Sequence, residues 1–78
     1  MIVVNFKNYK TGKDVLHFAR RINNKCVIAA VPSLNIKEVA ENTDLIVYAQ
    51  HVDNKLSKRD TGYLTPSAVK DAGSVGSL

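Results

Sequence analysis

Apolar and polar positions along the chain follow two alternating rhythms. Short, nearly continuous apolar runs occupy residues 1–6 (MIVVNF), 26–31 (CVIAAV) and 45–50 (LIVYAQ), and their β-branched content predicts three strands. Between the first two, residues 11–24 place Val15, Phe18, Ala19 and Ile22 at the i, i+3, i+4, i+7 spacing of an amphipathic helix. Residues 35–42 predict a shorter helix that buries Ile36, Val39 and Ala40, set off from the second strand by Pro32 and Ser33. A polar stretch at 51–64 then interrupts the rhythm, and its length predicts a functional or interfacial loop. After it, Thr65 as N-cap, Pro66 at the first helical position and Gly73 just past the end delimit a third helix. The closing SVGSL predicts the entry into a fourth strand.

Strand, helix, strand, helix is the order of an α/β fold with helical crossovers, and strands apolar throughout are those a parallel sheet buries on both faces. The first run nevertheless ends in polar and basic residues, NFKNYK. By alternation Ile2, Val4 and Phe6 share one face, while Val3, Asn5 and Lys7 share the other. The first set is expected to pack under helices. Asn5 and Lys7 fall at the carboxyl end of the strand, where parallel α/β folds place their ligands. A lysine just past a strand end is equally a loop residue with its ammonium in water. Spacing alone leaves both readings open.

Composition narrows the function classes. With 78 residues the chain forms one domain at most, with a small core. Its net charge of +4 comes from cations dispersed over separate elements and interleaved with acids. It lacks the basic stripe with aromatics of a nucleic-acid surface. No apolar run approaches the roughly 20 residues of a membrane span, and the absence of a signal peptide before the body predicts a cytoplasmic, reducing setting. Cys26, the single cysteine, allows no internal disulfide, and its place in CVIAAV predicts a small core residue. His17, beside Lys13 and Arg20 on the polar side of the first helix, is expected to be solvated.

Four stretches, VNFKNY, VPS, VYAQHVD and TGYLTPSAVKDAGSVGSL, run in order over essentially the whole chain. Together they resemble triosephosphate isomerase, particularly its compact archaeal form. The resemblance implies that residues 1–78 are the N-terminal portion of a TIM (β/α)8 barrel domain: strands one to three and the entry to strand four, the barrel incomplete. It implies interconversion of dihydroxyacetone phosphate and glyceraldehyde 3-phosphate, in glycolysis and gluconeogenesis, with no cofactor or metal. In this family, itself the standard worked case of acid–base tuning, a carboxylate takes a carbon-bound proton, a neutral histidine polarises the carbonyl and a closing loop excludes water. The family's N-x-K motif maps onto Asn5, which would help hold substrate, and Lys7, which would face the phosphate-bearing substrate and stabilise enediolate charge. Gln50 falls in the family's glutamine-containing strand end. His51 follows strand three, whereas the family's catalytic histidine follows strand four, so a hydrogen-bonding structural role is expected for it. Thr61 and Gly62 match the loop that docks into a neighbouring subunit, which makes Thr61 the candidate interface residue of a homo-oligomer, dimer or tetramer.

In the family, a His-Ser-Glu stretch bearing the catalytic histidine follows SVGSL almost at once, and the catalytic glutamate, the lid and the later phosphate loops come after it. The expectation is therefore an incomplete sequence, inactive alone for want of that histidine and glutamate, and not a well-packed monomer. The alternatives are a short non-catalytic phosphate-binding or interaction module and a basic nucleic-acid-associated fragment. Reading the coding DNA past Leu78 distinguishes them.

Overall fold

A computed structural model describes residues 1–78. Four parallel strands lie side by side in chain order: β1 (Ile2–Asn5), β2 (Val27–Val31), β3 (Ile46–Ala49) and β4 (Gly76–Ser77). The connections carry α1 (Lys13–Arg21), α2 (Ile36–Asn42), entered through a single 3-10 turn at Ser33–Asn35, and α3 (Pro66–Ala72). Each β/α unit thus adds one strand at the same edge, as the alternating pattern predicts. The sheet stays open, with β1 and β4 as its edges.

Register decides which residues share a face. Val4 pairs with Ala29, and Ala29 with Val47, so these point to one side together with Phe6 and Val31. On that side they join Val15 and Ala19 of α1, Ile36 and Val39 of α2 and Val69 of α3 in one apolar core. The rings of Phe6 and Phe18 meet edge to face at 5.1 Å, the arrangement their quadrupoles favour. The opposite face carries Val3, Asn5, Ile28, Ala30, Ile46 and Tyr48 and lies outside that core. Ile2 belongs by alternation with the helix-facing set, yet it is 63% exposed, because β1 is an edge strand and the packing against it reaches only Val4 and Phe6.

The third helix is delimited as predicted. Thr65 Oγ1 accepts the Ala68 N–H at 3.2 Å, Pro66 opens the helix, and Gly73 at φ 118° closes it by donating its N–H to the Lys70 carbonyl at 3.0 Å. The first helix is shorter than its periodicity suggested, because the two asparagines after it bond backbone groups elsewhere. Asn23 Oδ1 accepts the Asp44 N–H at 2.7 Å, and Asn24 Oδ1 accepts the Cys26 N–H at 2.8 Å. That second bond makes residues 24–26 a turn, starts β2 at Val27 and leaves Cys26 exposed. The expectation of a core cysteine is therefore corrected: the apolar run begins one residue before the strand does.

The last strand is short and is stitched on by a buried serine. Ser74 Oγ accepts the Ala49 N–H at 3.0 Å and donates to the Gly76 carbonyl at 2.6 Å, so it bridges β3 to β4 where the ladder begins. No helix is long and apolar enough to cross a membrane.

Candidate functional site

The site is built where β1 runs out. Phe6 continues the ladder one residue past the strand, its N–H donating to the Ala30 carbonyl at 2.9 Å. The chain then turns sharply: Lys7 has φ 49°, the only non-glycine residue in the left-handed region, and the Tyr9 N–H closes back on the Phe6 carbonyl at 3.3 Å. Lys7 therefore does not share the strand face with Val3 and Asn5, as alternation suggested. It leaves the strand and stands exposed on a turn at the carboxyl end.

A lysine backbone stays left-handed only where its surroundings hold it there. Here both of its peptide groups are engaged by side chains. Asn5 Oδ1 accepts the Lys7 N–H at 2.9 Å, an Asx-type turn, and Gln50 Nε2 donates to the Lys7 carbonyl at 2.8 Å. Because a carbonyl can only accept, the orientation of the Gln50 amide is fixed by this bond. Gln50 follows β3, and β2 lies between β3 and β1. The bond thus joins the ends of two strands about two interstrand spacings, roughly 9.6 Å, apart, across the carboxyl end of β2.

The electrostatics of the turn are simple. The chain's one ion pair is a loose one elsewhere, so the Lys7 ammonium is not neutralised by a neighbouring carboxylate. An unneutralised cation on a held backbone at the sheet's carboxyl edge suits an anionic ligand. Asn5 has committed Oδ1 to the turn, which leaves Nδ2 as its free donor.

His51 is 61% exposed, and its Nε2 lies 4.0 Å from Asp53 Oδ2, beyond hydrogen-bond reach. The hydrogen-bonding role expected of His51 falls instead to Asp53. Its Oδ2 accepts the Leu64 N–H at 2.7 Å, and its own N–H donates to the Leu64 carbonyl at 2.8 Å. This pair closes the neck of the long loop, with Val52 and Leu64 packed against the core beneath it. Residues 54–63 stand outside the neck and expose Leu56 at 85%. Thr61 lies in this loop, exposed, next to Gly62 at φ 83°. Of the residues singled out from sequence, the fold links Asn5, Lys7 and Gln50 by hydrogen bonds; Thr61 has none to them. His17 is exposed, as expected.

The comparisons with known proteins agree with one another. A family model described as triosephosphate isomerase matches residues 1–78. The triosephosphate isomerase of Metallosphaera sedula is 42% identical, the match covering all of this chain and 38% of that protein. Those of Sulfolobus acidocaldarius and Methanocaldococcus jannaschii are 34% and 30% identical, again over the whole chain and over 37% and 39% of their own lengths. The chain spans less than two fifths of these curated relatives.

Proposed function

The chain belongs to the triosephosphate isomerase family, and from that membership we propose that it contributes the Asn5–Lys7 part of an active site interconverting dihydroxyacetone phosphate and glyceraldehyde 3-phosphate. The observation that carries this reading is the exposed, unneutralised Lys7, held on a strained turn at the carboxyl end of β1. Its ammonium faces the phosphate-bearing substrate and stabilises the negative charge that develops on the enediolate oxygen. A preorganised charge of that kind acts without reorganising as the reaction proceeds. Asn5 offers Nδ2 to the substrate from the same end of the strand.

Proton transfer needs groups this chain does not place at the site. Its two glutamates, Glu38 and Glu41, sit exposed on α2, and Asp53 is engaged at the loop neck. Its histidines are His17 on α1 and His51 beyond β3. The proposed division is that residues 1–78 form strands one to three and the entry to strand four of the barrel domain, and the base and the carbonyl-polarising histidine come from the rest of it. The 54–63 loop would dock into a neighbouring subunit through Thr61, in an assembly working in the cytoplasm.

A segment exchange tests the reading. Residues 1–78 replace the matching segment of the Metallosphaera sedula relative, and the joined polypeptide is assayed for isomerisation in both directions. Activity well above that of residues 1–78 alone is the expected result. A joined polypeptide that melts sharply yet catalyses nothing would overturn the assignment.

A further inference from the structure

We infer that Gln50 is a positioning residue for Lys7, holding the lysine's backbone left-handed through the bond from its amide to the Lys7 carbonyl. The inference rests on the proposed role of Lys7 and says how that role is enforced. Three observations meet at one residue. Lys7 is the only non-glycine residue at positive φ. Its N–H is taken by Asn5 Oδ1 at 2.9 Å and its carbonyl by Gln50 Nε2 at 2.8 Å. One holder ends β1, two residues away, and the other follows β3, 43 residues away.

The Asx-type bond alone does not specify the turn, because asparagine accepts the i+2 N–H in several local conformations. An L-residue with a Cβ reverts to the right-handed or extended region unless something opposes it. The Gln50 amide supplies the opposition, since it holds the Lys7 carbonyl from across β2 at 2.8 Å. This also assigns work to both sequence-singled polar residues. Asn5 is both a ligand donor, through Nδ2, and half of the clamp, through Oδ1. Gln50, half-buried at the end of β3, ties the placement of the cation to the β1–β2–β3 register. In consequence the ammonium starts from a fixed backbone, as electrostatic stabilisation requires.

The test is spectroscopic and uses the joined polypeptide of the segment exchange, isotope-labelled within residues 1–78. In the unsubstituted polypeptide Lys7 should show the strong intraresidue Hα–amide cross-peak of a left-handed residue. Gln50→Met keeps the length of the side chain and removes the donor, and it should abolish that cross-peak while the α1 and β2 resonances hold their positions. Gln50→Glu keeps shape and polarity but presents acceptors to the carbonyl, and it should abolish the cross-peak as well. It serves where the methionine variant fails to fold. Adding Lys7→Gly to either variant should bring back the shifts of the surrounding turn, because glycine reaches positive φ unaided. Persistence of the Lys7 cross-peak in a folded Gln50→Met or Gln50→Glu polypeptide overturns the inference. The readout is conformational, so a failure of the isomerase reading leaves it standing, and its failure leaves that reading intact.

Discussion

At the scale of single residues the site reduces to one cation and what fixes it. In the joined polypeptide Lys7→Ala should lower kcat/KM by about 100- to 1,000-fold, the effect of removing one preorganised charge-stabilising group, about 3–4 kcal/mol. Lys7→Arg should recover only part of that, since a planar fork carries its charge differently from a compact ammonium. Steady-state rates in both directions decide the matter, and near-normal turnover in Lys7→Ala would remove Lys7 from the mechanism. The candidate residues themselves were legible in the sequence, because a polar, basic ending on an otherwise apolar strand needs a reason. The left-handed backbone at Lys7 was not. Lysine gives no local signal for positive φ, and the partner that enforces it is 43 residues distant. Cys26 shows the opposite error: an apolar run suggested burial, while the asparagine two residues earlier had already fixed a turn.

At the scale of elements, local chemistry and long-range packing divide the work. The third helix was readable to the residue from Thr65, Pro66 and Gly73, since caps act through bonds within a few positions. Thr65→Ala should cost about 1 kcal/mol locally and raise amide exchange in α3 roughly fivefold, whereas Thr65→Ser should leave it near the unsubstituted rate. Equal exchange in both variants would mean the cap does not hold the helix. Gly73 is constrained twice, because a Cβ there meets a positive φ and would lie 2.5 Å from Ala40 Cβ. The 51–64 connection was readable from its polar run as a long loop between β3 and α3, but not its neck, because nothing in sequence pairs Asp53 with Leu64. With the neck closed and the tip exposed, Thr61→Arg in the joined polypeptide should weaken subunit assembly and activity together. Light scattering after size exclusion reads the first and the isomerase assay the second. An unchanged oligomer with full activity would show that the loop is not interfacial.

At the scale of the whole molecule, parallel order and helix cover followed from the strand–helix rhythm. The resemblance also implied how far the sheet extends, three strands and the entry to a fourth, and the sheet stops there with β1 and β4 as open edges. Helices bury one face. The other presents Val3 at 55% exposure and half-buried Ile46 and Tyr48, with Ile28 buried between them, and the free edges carry Ile2 on β1 and Val75 and Leu78 around β4. Beside β4, a groove of about 590 Å³ runs along Val52, Pro66, Val69 and Val75. Open edges with apolar flanks favour association between chains. The net charge of +4 opposes it, but that repulsion is screened beyond about 8 Å at physiological ionic strength, whereas apolar burial is not. Residues 1–78 alone should therefore bind a hydrophobic dye and self-associate with rising concentration, more strongly as salt is added. Without association they should melt broadly, because a core confined to one face of an open sheet gives little cooperativity. Sedimentation velocity over a hundredfold concentration range, at low and at physiological salt, provides the measurement. A dye-silent monomer at every concentration, with a sharp melt, would mean that the helix-covered face alone is enough to fold the chain.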